Sequence, residues 1–100
     1  MDAGVQLSRL FDDLDDMHQA LRADDLDRLQ SLMTQHDWGV RCFMEAEGHR
    51  ADPAELARLL AGQQDLQKAM ERARHAASRQ LHASQKAGRA SRAYLSVVGD

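Results

Sequence analysis

Acidic, histidine and cysteine side chains are the residues of this 100-residue sequence that could support chemistry. Asp12 and Asp16 are one helical turn apart, so they could in principle hold a hydrated divalent cation. Adjacent aspartates on an exposed helix, however, lack the fixed and convergent oxygens that a metal ion needs. We therefore expect Asp12, Asp13, Asp15 and Asp16 to form a solvated acidic face, and we expect no metal site.

The remaining candidates do not combine into a catalytic set. His75 and His82 are seven residues apart, roughly on one face of a helix, and supply two metal ligands at most. Cys42 is the only cysteine and cannot form an internal disulfide. The sequence contains no CxxC or HExxH motif, no glycine-rich phosphate loop, and no serine, histidine and aspartate that a helical hairpin would bring together. We expect neither catalysis nor a bound cofactor.

Two residues of the second predicted helix allow both a functional and a structural interpretation. His36 falls at a core position, where an imidazole costs stability unless it is hydrogen-bonded. It could set the helix register, sense pH or bind a ligand, but a structural histidine with a hydrogen-bond partner is the expected role. Trp38 lies off the apolar stripe. It is either an exposed anchor for a binding partner or a side chain that covers the third helix.

The composition favours helices throughout. Proline occurs once and aromatic and β-branched residues are scarce, whereas alanine, leucine, glutamine, arginine and aspartate are plentiful. One hundred residues suffice for a single domain with a modest core. We expect an all-α protein, an antiparallel helical bundle in which a two-helix hairpin packs against one long C-terminal helix. No signal peptide or apolar span of about twenty residues is recognisable, which favours a cytoplasmic location without membrane association.

Two apolar stripes predict the hairpin. In the first helix, residues 5–23, the stripe occupies heptad positions a, d and e. It consists of Leu7, Leu10, Phe11, Leu14, Met17, His18 and Leu21. Asp24 is expected to cap the second helix, residues 25–46, whose stripe consists of Leu26, Leu29, Met33, His36, Val40 and Phe43. The short connection favours antiparallel neighbours.

The third helix is expected over residues 53–97, because Asp52 is a good N-cap and Pro53 fits the first helical position. The residues that form one of its faces recur every three or four positions. That face consists of Leu59, Leu66, Met70, Ala73, Ala77, Leu81, Ser84, Gly88, Ser91 and Leu95. After Leu81 this face consists mainly of small residues, so it would form a weak core. The helix would be roughly 65 Å long, against about 30 Å for each hairpin helix, so we expect part of it to overhang. In the core, we expect Leu14, Leu29 and Leu66 to be buried together.

The charge is unevenly distributed along the chain. Residues 1–48 contain 11 acidic and 4 basic residues, whereas residues 49–100 contain 5 acidic and 9 basic residues. The simplest interpretation is an acidic hairpin that lies against a basic helix. A nucleic-acid-binding arm is the alternative, but neither aromatic stacking residues nor a recognisable binding motif accompany the basic residues. We expect no nucleic-acid partner.

Three segments of the chain carry a resemblance to a known family. They are HQALRADDLDRLQSLMTQHD (18–37), LLAGQQDLQKAM (59–70) and SQKAGRASRAYLSVVG (84–99). The last segment is the most specific, because a Gln-Lys pair, a spacer and Ala93-Tyr94 stand near the end of a long amphipathic helix. Together the segments resemble the FliT-like flagellar export chaperones, which are small cytoplasmic helical proteins of the type III export system.

The resemblance implies a chaperone of bacterial flagellum biogenesis. Such a protein binds the filament-capping protein or another export substrate, prevents its premature assembly and delivers it to the export apparatus, without a cofactor. Small residues after Leu81 would let a partner helix approach closely. The expected partner-binding residues are Leu81, Ser84, Gly88, Ser91, Tyr94 and Leu95.

Three other functions remain open on the sequence. A regulatory adaptor that binds a transcription factor would use the same helix face. A nucleic-acid-binding arm would use the basic residues of the last helix, and the salt dependence of binding would distinguish it. A structural coiled-coil module would pair the ends of two long helices into a homodimer, which sedimentation would detect.

Overall fold

The computed structural model describes residues 3–98, and the side chains of residues 6–92. The chain forms three α-helices: α1 (Ala3–Arg22), α2 (Leu26–Glu47) and α3 (Pro53–Val98). A single turn of 3-10 helix, Gly48–Arg50, lies between α2 and α3. No strand occurs within residues 3–98. The prediction of an all-α protein is therefore confirmed.

A tight turn connects α1 and α2 and reverses the direction of the chain. Asp24 has a φ of 56°, and its N–H donates to the Leu21 carbonyl at 3.1 Å. The Asp25 N–H donates to the Ala20 carbonyl at 2.9 Å, so two carbonyls at the end of α1 find partners. The Asp25 carboxylate then caps α2 by accepting from the Arg28 N–H at 3.2 Å. The prediction that Asp24 caps α2 is wrong, because Asp24 terminates α1.

The start of α3 follows from the Asp52-Pro53 pair, as predicted. The Asp52 carboxylate accepts from the Ala54 N–H at 3.0 Å, and the Asp52 carbonyl accepts from the Leu56 N–H at 3.0 Å. Pro53 has no N–H to satisfy, so it fits the first turn without loss. The cap fixes where the helix begins, and the burial of Leu59 and Leu66 fixes which face of α3 meets the hairpin.

The hydrophobic core belongs to the first of two compact units, residues 1–69. Its buried apolar side chains are Leu7, Leu10, Leu14, Met17, Ala20, Leu29, Phe43, Leu59 and Leu66. They come from α1, α2 and the beginning of α3, so the two-helix hairpin packs against the long helix as predicted. The predicted burial of Leu14, Leu29 and Leu66 is confirmed.

Two glycines allow α1 to approach both of its neighbours closely. A Cβ atom on Gly39 of α2 would lie 2.9 Å from Leu10 Cδ2. On Gly62 of α3, a Cβ atom would lie 2.8 Å from Leu14 Cδ1. Because interiors are close-packed, a larger residue at either glycine would force the leucine or the whole helix to move.

Ion pairs contribute little to the contact between the hairpin and α3 in the first unit. Arg50 lies 3.9 Å from Glu47, and Arg58 lies 3.6 Å from Glu55. Both pairs are local, and exposed pairs of this kind are worth at most about 1 kcal/mol. None of the ion pairs described within residues 6–69 joins an acidic residue of the hairpin to a basic residue of α3. Arg58 instead lies 5.3 Å above the centroid of the Phe11 ring, a cation–π contact that involves no acidic residue of the hairpin.

The second compact unit, residues 70–100, contains the rest of α3. The residues of this unit from Glu71 to Arg92 are exposed, apart from Gly88, which is half-buried. Most helices owe their stability to a packed apolar face. This part of α3 has no such face within the described residues.

Candidate binding surfaces

A row of three polar side chains, one from each helix, crosses the core of the first unit. Gln63 of α3 places its Nε2 atom 3.1 Å from Nε2 of His36 in α2. Because an amide nitrogen only donates, the imidazole Nε2 is the acceptor in this contact. The Nδ1 atom faces Asp13 of α1 at 3.6 Å from Oδ2 and has no hydrogen-bond partner among the described residues. His36 is only 4% exposed.

This row confirms one prediction and overturns another. His36 is a buried histidine with a hydrogen-bond partner, which is the structural role expected for it. Asp13 was expected on the solvated acidic face but is buried beside His36. It lies three residues after Leu10 and four residues before Met17, which are both buried, so its side chain shares their face.

The row borders a pocket between the three helices of the first unit, which we call the Met33 pocket. It is lined by Leu14, Met17, Met33, His36, Asp37, Gln63 and Leu66. Its volume is about 210 Å³. Drug-sized ligands occupy pockets of about 300 to 1,000 Å³, whereas a cavity of about 150 Å³ already accepts benzene. The Met33 pocket therefore has room for one large side chain rather than for a cofactor.

The Met33 pocket contains an imidazole but no hydroxyl or thiol side chain. In hydrolases with a Ser-His-Asp triad, the imidazole activates a hydroxyl group within hydrogen-bond reach. None of the residues that line this pocket is serine, threonine or cysteine, so His36 has no group to activate there. The arrangement of apolar walls around a few polar groups is suited to binding.

Trp38 lies on the surface of α2 and is 68% exposed. A shallow depression of about 240 Å³ beside it is lined by Thr34, Asp37, Trp38 and Arg41, which all belong to α2. The interpretation in which Trp38 covers α3 is therefore wrong. Cys42, one helical turn further along α2, is also exposed.

The predicted partner-binding residues all fall in the second unit. Those with described side chains are Leu81, Ser84, Gly88 and Ser91, which we call the Leu81 face. Leu81 is 58% exposed, and the two serines are exposed as well. Around a Cβ atom placed on Gly88, no side chain lies within 4 Å. Tyr94 and Leu95 belong to α3, but their side chains lie outside the described part of the chain.

Basic side chains accompany the Leu81 face. Residues 70–92 contain one acidic residue, Glu71, and six basic ones. The basic residues are Arg72, Arg74, Arg79, Lys86, Arg89 and Arg92, and they are all exposed. Residues 70–92 therefore present a positively charged helix surface with little apolar area.

Two other kinds of site are not found in the described part of the chain. No group of three or more histidine, cysteine, aspartate or glutamate side chains there is placed to hold a metal ion. Asp12 is exposed and Asp16 half-buried, while His75 and His82 are exposed. Among the helices of residues 3–98, none combines the length and the hydropathy needed to cross a membrane.

Neither the contact of Gln63 with His36 nor the Met33 pocket was predicted from the sequence. Gln63 lies four residues after Leu59 and three residues before Leu66, which are both buried. This spacing places it on the core side of α3 and is the signal that could have revealed it. The identity of its partner depends on how α2 and α3 are aligned, and no sequence spacing shows that.

In comparisons with known proteins, no family model, no curated protein and no solved structure matches this chain.

Proposed function

We propose that this protein is a cytoplasmic flagellar export chaperone whose Leu81 face binds a helix of an export substrate. The exposure of residues 71–92 is the observation that carries this proposal. A single exposed leucine is common on protein surfaces. A helical segment of more than twenty residues without a packed side chain is less common, because packing supplies most of the stability of helices. A partner helix would provide the missing contact.

The composition of the Leu81 face suits a helical partner. The distance between packed helices, about 8 to 10 Å, depends on the side chains at the contact. Ser84, Gly88 and Ser91 are small, so a partner helix can approach the backbone of α3 closely while it covers Leu81. We expect the partner to be an amphipathic helix with apolar residues at i, i+3, i+4 and i+7.

The charge of the second unit restricts the partner further. Six basic residues within residues 70–92 favour a partner helix with acidic residues along its edges. Such charge complementarity raises the association rate and the specificity of binding more than it raises the affinity. A complex held mainly by the Leu81 contact therefore depends weakly on salt, whereas a nucleic-acid complex loses affinity steeply as salt is added.

The filament-capping protein is the substrate that the resemblance favours. A chaperone that covers an amphipathic helix of this substrate keeps that helix from pairing with other subunits before secretion. Release at the export apparatus then frees the helix for assembly. Another secreted flagellar protein with an acidic amphipathic helix would bind in the same way, because the face recognises helix shape and charge.

The double substitution Leu81→Asp with Leu95→Asp tests the proposal. Burial of one leucine contributes about 1.5 to 3 kcal/mol, and a buried aspartate adds a desolvation cost. Affinity for the purified capping protein, measured by calorimetric titration, should therefore fall by at least about tenfold. Thermal unfolding followed by circular dichroism should show that the first unit remains folded, since both positions lie in the second unit.

Leu60→Asp provides the matched control. Leu60 is another exposed leucine of α3 but belongs to the first unit. The Leu60→Asp variant should bind the capping protein with the affinity of the unmodified chain. Retained capture by the folded double variant, or an equal loss in the Leu60→Asp variant, would reject the Leu81 face as the binding site.

A further inference from the structure

The Met33 pocket has a buried apolar end and a mouth that is open to solvent. Met17 is 1% exposed, and Leu14 and Leu66 are buried as well, so these three side chains form the inner walls. Met33 is 38% exposed and Asp37 is exposed, so both lie at the mouth. The described lining residues all belong to the first unit. A small molecule can therefore enter from solvent and bury one end against apolar atoms.

The polar lining residues distinguish between ligands by their charge. His36 Nε2 accepts from Gln63 at 3.1 Å, so this nitrogen is already occupied by a donor. Within residues 6–92, the Asp37 carboxylate takes part in none of the described ion pairs or side-chain hydrogen bonds. None of the described residues that line the pocket is lysine or arginine. An anionic ligand would therefore be repelled by Asp37, whereas a cationic group would find a partner there.

The volume of the pocket sets the size of the ligand. The pocket measures about 210 Å³, a cavity of about 150 Å³ accepts benzene, and one water in the liquid occupies about 30 Å³. The pocket therefore holds one aromatic ring with a chain of about two further atoms, which is the size of one large side chain. Met17 and Met33 favour a ring, because thioether sulfur makes favourable contacts with the edges of aromatic rings.

We propose that the Met33 pocket binds a small arylalkylamine, which is an aromatic ring joined by one or two carbons to a protonated amine. The ring lies against the inner walls, and the ammonium group reaches Asp37 at the mouth. Residues 1–69 contain 14 acidic and 7 basic residues, and this excess of negative charge raises the local concentration of cations. The pocket lies within the first unit, so the inference does not depend on the proposed function of the Leu81 face.

An NMR titration of the full, isotope-labelled chain with phenethylamine at neutral pH tests the site. A ligand of about nine non-hydrogen atoms should bind with a Kd of about 0.1 to 1 mM. The largest changes in chemical shift should lie at the amides of residues 33–37 and 63–66. Phenethyl alcohol has the same ring and chain without the charge, and phenylpropionate is the corresponding anion. The amine should bind about two to five times more tightly than the alcohol, as expected for an exposed ion pair, and the anion should bind most weakly.

Two pairs of variants locate the charge and the ring. Asp37→Asn should abolish the preference for the amine over the alcohol. Asp27→Asn should keep that preference, because Asp27 is another exposed aspartate of α2 but does not line the pocket. Met33→Ala removes part of the apolar lining and should weaken both ligands about fourfold, which is the value of one buried methylene group. Met44→Ala should leave both affinities unchanged, because Met44 is 45% exposed on the same helix and outside the pocket.

The inference would be overturned if phenethylamine caused no change in chemical shift at roughly ten times the expected Kd, or if the changes centred on other residues. An anion that binds as tightly as the amine, or a preference for the amine that survives Asp37→Asn, would also overturn it. Equal effects in the two aspartate variants would show attraction by the acidic surface as a whole, and equal effects in the two methionine variants would place the ring elsewhere. Circular dichroism verifies that each variant is folded.

The same titration separates this inference from the proposed function. The variant with Leu81→Asp and Leu95→Asp keeps every described residue of the Met33 pocket, so it should bind phenethylamine with the affinity of the unmodified chain while it loses the capping protein. Failure to bind the amine would leave the chaperone proposal intact, and failure to bind the capping protein would leave the amine site intact.

Discussion

The two parts of α3 are helical for different physical reasons. Residues 53–69 bury Leu59 and Leu66 against the hairpin, so tertiary packing holds this part of the helix. Residues 70–92 are nearly all exposed but include six alanines, five arginines and no β-branched residue, a composition with high intrinsic helix propensity. One helix therefore combines a segment that stabilises the fold with a segment whose described side chains remain exposed.

Leucine substitutions should give the largest difference between the two parts of α3 in their effect on the free energy of unfolding. Leu66→Ala removes a buried side chain and should lower the free energy of unfolding by about 2 to 5 kcal/mol. Leu81→Ala removes an exposed side chain and should change it by less than about 0.5 kcal/mol. Urea denaturation of dilute protein, followed by circular dichroism, measures both. Similar losses at the two positions would show that residues 70–92 also contribute to the core.

Glutamine substitutions should give a smaller difference in stability between the two parts of α3. Gln63→Ala leaves the buried Nε2 atom of His36 without its hydrogen-bond partner and should cost about 1 to 3 kcal/mol of stability. Gln80→Ala, at an exposed position, should cost less than about 0.5 kcal/mol.

A double-mutant cycle sharpens this comparison. In a His36→Leu background, Gln63→Ala no longer leaves an imidazole unpaired, so its cost should shrink markedly. An unchanged cost in that background would mean that Gln63 acts through helix packing rather than through the hydrogen bond to His36.

Glycine substitutions should give the smallest effects, of opposite sign. Alanine at Gly62 gains about 1 kcal/mol of helix propensity, but its Cβ atom would lie 2.8 Å from Leu14 Cδ1. Overpacking costs about 1 to 3 kcal/mol, so we expect a net loss of about 1 kcal/mol. Alanine at Gly88 meets no atom within 4 Å and should stabilise the helix locally by about 1 kcal/mol.

The two glycine variants call for different measurements. The free energy of unfolding by urea reports on Gly62→Ala, whereas slower amide hydrogen exchange in residues 84–92 reports on Gly88→Ala. A stabilised first unit in Gly62→Ala would show that α1 can move to accommodate a methyl group. Unchanged exchange in Gly88→Ala would show that this glycine does not limit the local stability of the helix.

The errors of the sequence analysis each have a local physical cause. Asp24 and Asp25 are both good N-cap residues, and the preference alone could not show that Asp24 would adopt a left-handed conformation and end α1. Four aspartates near the middle of α1 suggested one solvated face, but Asp13 points to the core with its apolar neighbours. Trp38 is not such an error, because the sequence left open whether it covers a neighbouring helix or remains exposed, and it is 68% exposed.

The sequence by itself determined the all-α class, the start of α3 at Asp52-Pro53 and the burial of Leu14, Leu29 and Leu66, whereas Leu26 and Met33 of the predicted second stripe are exposed. These features depend on helix periodicity and capping, which involve residues within a few positions of each other. Only the tertiary structure decided that His36 meets Asp13 and Gln63, and that the Met33 pocket opens beside them. Those contacts join residues more than twenty positions apart, and they depend on the alignment of three helices along their axes. Many alignments bury the same stripes, so that choice is made by the packing of the core as a whole.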